Sequence, residues 1–145
     1  MLEREKIQYR GFRNVYDEAG NAVGVEFRIR TTYYRGCWLS QIRHGRVIVD
    51  GQEFWPDSGK VTWIIQGKEY TPAEMAKDNK DFWPMNQVAT IRVKKPGGLS
   101  QGYHDVEMHY FISHSYMPPS MDEFKDTPEG IQGRGYKLQR RMLIV

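Results

Sequence analysis

Three histidines, His104, His109 and His114, with Asp105 and Glu107 between the first two, are side chains a metal centre would use. Their spacing argues against one. On a strand, a separation of five places His109 on the face opposite His104 and His114. Those two stand ten residues apart, roughly 33 Å at about 3.3 Å per residue, whereas each ligand of a zinc ion sits about 2 Å from it. His44 has no ligand-type neighbour in sequence. Cys37, two residues after Arg35, offers a thiol whose pKa a nearby cation would lower, the condition for a nucleophile. No histidine stands at a spacing that marks a known Cys and His arrangement, and a lone cysteine among aromatic residues reads as a small buried apolar side chain. The carboxylate pairs Asp17-Glu18, Asp105 with Glu107, and Asp122-Glu123 fall on strands and turns, where such groups are solvated or cap a turn. "GIQGRG" lacks the preceding apolar strand and following helix of a phosphate cradle. The residues therefore point to no catalytic group and no metal site in this chain.

The remaining chemistry is recognition. Arg28, Arg30, Tyr33, Tyr34, Arg35 and Trp38 alternate cations with rings, a pattern that would stack single-stranded nucleic acid on a small barrel, or equally sugars and flat polyphenols. Counterion release by a polyanion needs several uncompensated cations. The net charge is only +3, from 21 Lys and Arg against 18 Asp and Glu, and Glu26 shares a strand face with Arg28 and Arg30. No nucleic-acid partner is expected.

The elements that would position these residues are strands. "AVGVEFRIRTT" (Ala22 to Thr32) sets Val23, Val25, Phe27, Ile29 and Thr31 on one face and Gly24, Glu26, Arg28, Arg30 and Thr32 on the other, the period of a half-buried strand. "IQYRGFRNV" before it is a weaker strand with Gly11 at a bulge, and "DEAGN" links the two into a hairpin. Asp50-Gly51 marks a second tight turn, and "KVTWIIQGKEY" alternates Val61, Trp63 and Ile65 before a turn near Gly67. "TPAEMA" is the exception: Thr71 caps, Pro72 takes the first helical position and Glu74 reaches back, which predicts one short helix. Strands resume at "QVATIRVKK", break at Pro96-Gly97-Gly98, return at "YHDVEMHYFISHS" and close with "YKLQRRMLIV". About eight short strands, with almost no helix, predict an all-β fold, a two-layer antiparallel β-sandwich, over a parallel sheet. A small barrel is the alternative. The 145 residues fit a single domain, 1–145, with a core of its own. The stretch 115–135, with three prolines and three glycines, predicts a long loop. Its Met117, Met121 and Phe124 need cover, either the sandwich itself or a partner chain. A lone cysteine and no apolar run after "MLEREK" predict neither secretion nor membrane insertion, hence the cytoplasm.

Taken in order, "GVEFRIRTTYYRGCWLSQI", "VIVDGQEF", "YTPAEMA", "VKKPGGLSQGYHDVEMHYFIS" and "SYMPP" resemble the small β subunit of bacterial C-glycoside deglycosidases, from Ile7 to Pro119 and again in the closing strand. The resemblance implies a carbon lyase that breaks the carbon–carbon bond between a 3-oxo sugar and a flavonoid-type aglycone. A ketone at C3 acidifies the C2 proton, a base forms the enediolate, and the aglycone leaves by elimination across C1 and C2. It further implies that the base and a divalent metal, manganese by the family's habit, belong to a TIM-barrel α subunit, and that the β subunit is a sandwich bound to it in a hetero-oligomer, with no catalysis of its own. Tyr33, Tyr34, Arg35 and Trp38, with Tyr116, Met117, Pro118 and Pro119, are the expected interface or substrate-entrance residues. Aromatic, Met and Arg side chains are enriched at interface centres. The competing reading is a free carbohydrate- or polyphenol-binding sandwich.

Overall fold

Apolar and polar residues alternate along most of the chain, and the sheets follow from that alternation. In the computed structural model, which describes residues 6–31, 35–113 and 136–145, β1 (Ile7–Tyr16) and β2 (Ala22–Ile29) pair antiparallel. Asp17 closes the turn between them: its carbonyl accepts the Gly20 N–H at 3.1 Å and its carboxylate the Asn21 N–H at 2.9 Å. The expected bulge is present. Gly11 takes a φ of 83°, and residues 9–12 stand against the single Phe27 of β2; only glycine reaches that φ without a steric cost.

The chain continues through β3 (Cys37–Trp38), a 3₁₀ turn (Leu39–Gln41), β4 (Ile42–Val49), β5 (Gln52–Phe54), β6 (Val61–Ile65) and β7 (Lys68–Tyr70). The helix α1 (Pro72–Lys77), β8 (Phe82–Trp83), β9 (Ala89–Lys94), β10 (Gly102–Ile112) and β11 (Tyr136–Ile144) complete it. Both tight turns form as predicted. Asp50 and Gly51 have φ of 49° and 83°, Gln66 and Gly67 of 51° and 82°, the left-handed pair whose twist matches that of the flanking strands. In α1, Thr71 Oγ1 accepts the Glu74 N–H at 3.2 Å and Glu74 Oε1 accepts the Thr71 N–H at 3.1 Å, so two otherwise orphaned amides are satisfied reciprocally.

The described strands form antiparallel sheets ordered β1-β2-β9-β6-β7 and β11-β10-β4-β5, with β3 and β8 as a separate pair. Eleven strands stand among the described residues where about eight were expected. The surplus includes β3 and β8, two residues each, too short to show any alternation. One apolar cluster draws on both larger sheets: Phe27, Trp63 and Ile91 from the first, Val47, Met108 and Tyr110 from the second. Each such side chain contributes roughly 1.5–3 kcal/mol when fully buried. The inward row predicted on β2 holds for Val25, Phe27, Ile29 and Thr31, all buried, but Val23, beside the turn at the sheet margin, is exposed. The stretch 115–135 lies outside the described residues.

Candidate functional site

The segment carrying Arg35 and Trp38 follows β2 in the chain. Gly36, at φ 72°, makes the turn possible: a Cβ there would stand 2.5 Å from the Trp83 carbonyl oxygen and 3.0 Å from the Phe82 ring. Beyond it, Cys37 pairs with Trp83 and Trp38 with Phe82. Polar bonds fix this small sheet to its surroundings. The Leu39 and Ser40 amides donate to the carbonyls of Asp81 (3.2 Å) and Asp78 (3.0 Å), and Gln66 Nε2 donates to the Phe82 carbonyl at 2.8 Å. Gln41 Oε1 accepts the Trp38 N–H, while Gln41 Nε2 donates to the Ser113 carbonyl at the end of β10.

Pairing puts alternate side chains on opposite sides. Cys37 and Trp83 point inward and are buried; Trp38 is 47% exposed, its ring edge-on to Phe82 at 5.0 Å. Arg35 is exposed, and so is Met85, two residues past Trp83. Of the expected interface residues, then, Arg35 and Trp38 are exposed, while Tyr33, Tyr34, Tyr116, Met117, Pro118 and Pro119 lie outside the described residues. Phe82 and Met85 are not among the expected interface residues, because "DFWPMN" shows no strand or helix alternation in sequence. The available signal was the adjacent Phe82-Trp83, two rings that a two-residue strand sends to opposite faces.

Beneath that surface lies a ring-packed floor. Trp63 meets Trp83 and Tyr110 edge-on, each at 5.7 Å, and His44 meets Trp63 at 5.1 Å. Such edge-to-face pairs add about 0.5–1.5 kcal/mol each beyond area burial. Neither ring nitrogen of His44 has a hydrogen-bond partner among the described residues. Burial, with the Arg43 charge second, lowers its pKa from 6.5 to about 3, so the imidazole is neutral. Burial likewise pushes the Cys37 thiol up to about 12, which leaves it protonated and unreactive.

The other described histidines, His104 and His109, stand apart. His104 Nδ1 lies 2.5 Å from Asp50 Oδ2 and Nε2 lies 2.7 Å from the Ser100 carbonyl. A carboxylate and a carbonyl only accept, so the ring carries both protons. Burial works to lower its pKa, but the hydrogen bonds from Asp50 and Ser100 and the charges of Asp50 and Asp105 outweigh it and raise the value. His109, on the opposite face of β10, holds Glu107 at 2.8 Å. Among the described residues no three His, Cys, Asp or Glu side chains come together as a metal's donor set.

Glu26 departs from expectation. It lies on the outer face of β2 as the alternation requires, yet it is only 4% exposed. Arg13 Nε donates to its Oε1 at 2.6 Å, and Arg92 Nε and Nη2 donate to its Oε2 at 3.1 and 3.0 Å. The row continues through Glu69, which takes Arg92 at 3.5 Å and Thr62 at 2.7 Å. Neighbours on β1 and β9, invisible from β2 alone, cover the carboxylate.

Comparison with known proteins bears on what these surfaces serve. A family model described as C-glycoside deglycosidase beta subunit matches residues 2–116. The chain is 42% identical to the C-glycoside deglycosidase beta subunit of Eubacterium cellulosolvens, over 99% of this chain and 100% of that protein. It is 34% identical to the 3'-dehydrocarminate deglycosidase beta subunit of a Microbacterium species, over 72% of this chain and 74% of that one. With a family match across most of its length and an end-to-end relative, the chain belongs to the C-glycoside deglycosidase beta subunit family.

Proposed function

We propose that this chain is the accessory subunit of a heteromeric cytoplasmic C-glycoside deglycosidase, a lyase that splits the C–C bond between a 3-oxo sugar and its flavonoid-type aglycone by β-elimination. The observation that carries the reading is the end-to-end match to a protein named as a beta subunit, a name that calls for an alpha partner. The division of labour follows from chemistry. Abstraction of the C2 proton needs a base and a Lewis acid to hold the enediolate, and the described residues bring together no metal donor set. Both belong, on this reading, to a TIM-barrel α subunit with a divalent ion such as manganese. This chain's part is to brace that subunit and to shape the substrate entrance, where Trp38 and Arg35 present a ring and a planar cation to a flat aglycone while excluding water. Tyr33, Tyr34, Tyr116, Met117, Pro118 and Pro119 are proposed for the same surface.

Co-expression with a candidate α subunit, sizing of the product and a metal-dependent cleavage assay test the reading. A complex that cleaves, with each subunit inactive alone, is the expected result. Robust cleavage of a 3-oxo-C-glycoside by the purified lone chain would overturn it. The exposed Trp38 also favours a second reading, a free glycoside- or polyphenol-binding sandwich. Titrating the lone chain with glycosides while following tryptophan fluorescence separates the two, since a free module binds without a partner.

A further inference from the structure

Away from the Trp38 surface, the edge strands of the two sheets, β1 and β11, come together along a seam, where Arg140 Nη1 donates to the Ile7 carbonyl at 2.8 Å. Three independent features meet there. The first is apolar exposure. Of the eight large apolar side chains exposed among the described residues, Tyr9, Tyr16, Leu143 and Val145 lie on or just past the seam strands, and Tyr103 stands on β10 across from Leu143, with Tyr9 61% and Tyr103 65% exposed. Scattered single exposures are ordinary, but grouped ones mark interaction surfaces. The second is a cavity of about 550 Å³ between the strands, lined among others by Phe12, Arg13, Tyr16, Ile144 and Val145.

The third is charge of one sign on preset rings. Arg10 and Arg140 lie over the Tyr9 ring at 5.6 and 5.5 Å, and Arg141 lies over Tyr103 at 5.6 Å. Arg10 Nε also donates to the Tyr9 hydroxyl at 3.2 Å. A guanidinium held against a ring is pre-organised and loses little entropy on pairing. Arg13 adds a fourth cation at the cavity rim. Against these stand Asp105, across from Arg141 on β10, and Glu26, whose oxygens Arg13 and Arg92 already occupy. The pattern of planar cations on tyrosines beside aliphatic Leu143 and Val145 suits carboxylates set among apolar groups, the make-up of a protein surface. It suits a phosphate chain less, since that needs cations without interleaved carboxylates or aliphatic ground.

We propose that the β1–β11 seam is a docking surface for a carboxylate-bearing patch of the α subunit, separate from the Trp38 entrance surface. This rests on the reading of the chain as an accessory subunit. The test compares wild-type chain with Arg10→Glu/Arg141→Glu and with Tyr103→Ser, measuring the dissociation constant for the purified α subunit at low and high salt. Circular dichroism and thermal melts check that each variant folds, and Arg10→Gln/Arg141→Gln serves should the charge reversal not fold. The expected result is a complex weakened at least tenfold by the charge reversal, several-fold by Tyr103→Ser, and by rising salt in the wild type. Wild-type chain that forms no complex at all would defeat the accessory-subunit reading. Wild-type chain that forms one, with the folded charge variants binding equally well, would defeat only the seam proposal. A lone chain whose own dimer the variants dissolve, or whose seam binds single-stranded DNA in their place, would also defeat it.

Discussion

His104 and His44 belong to opposite ends of the four-stranded sheet and to opposite chemistries. His104, near the start of β10, gives a proton to an acceptor at each ring nitrogen, and His44, across from Tyr110 at the far end of the same strand, finds no partner at either among the described residues. One is held as a cation by Asp50 and Ser100, the other as a neutral ring by Trp63 and burial. Their surroundings match. Near His104, whose ring meets Phe12 at 6.4 Å, the seam is knit by Arg13, Glu26 and Arg92. Under Trp38, the packing is Trp63, Trp83 and Tyr110. The same residue type has been put to opposite uses because one site offers acceptors and negative charge, and the other offers rings and a neighbouring cation. A charge-knit end answers to pH and substitution of single charges, and a ring-packed end answers to volume and to any proton forced into it.

The largest effect separating the two ends is acid lability from His44. Its folded pKa of about 3 lies below the ordinary 6.5, so in acid the unfolded chain takes a proton that the folded chain refuses. Its contribution is complete above pH 6.5 and is lost as pH falls toward 3, on the order of 5 kcal/mol in total. Denaturant unfolding at pH 7, 5 and 4 should show this loss, and His44→Leu should flatten the slope. Equal slopes in the two proteins would break the comparison. Asp50 and Glu107 act in the same direction but at lower pH. Burial tends to raise both, hydrogen bonds and nearby cations outweigh it, and each folded value ends below the ordinary one.

Smaller, and confined to the charge-knit end, is Glu26→Gln. The amide keeps the shape but cannot accept from both arginines at full charge, so a loss of about 1–3 kcal/mol is expected, read from the midpoint of urea unfolding. A change under a few tenths would show that the two exposed-side guanidinia find water as readily as the carboxylate. The smallest effect is at His104. Its folded pKa is raised, so its contribution is present in full below pH 6.5 and fades as pH rises past the folded value. His104→Gln should cost about 1 kcal/mol near pH 6 and less at pH 9, opposite in sign to the trend at His44. NMR titration of the two rings gives the direct reading: one moves above 6.5, the other stays neutral far below it.

Much of this frame was written in short-range chemistry. Asp50-Gly51 and Gly67 announced their turns, Gly11 its bulge and Thr71 with Glu74 the helix cap, since each depends on a few adjacent residues and a backbone region that few side chains tolerate. The alternation of Val25, Phe27 and Ile29 likewise predicted their burial. What escaped was set by partners distant in sequence. Glu26 is covered by Arg13 and Arg92, and Phe82 becomes a strand residue only by pairing with Trp38.

The sequence by itself determined the all-β antiparallel class, the hairpins and the helix, and its ordered segments resembled the family to which the chain belongs. Periodicity and turn chemistry are local, and they survive in any context that buries one face. The tertiary structure alone decided which side chains meet: Trp38 with Phe82, His44 with Trp63, and Tyr9 with Arg140. Protonation and exposure, the properties on which a surface's function turns, depend on desolvation and charge gathered from strands up to 133 residues apart, as between Ile7 and Arg140. No spacing rule along the chain encodes that.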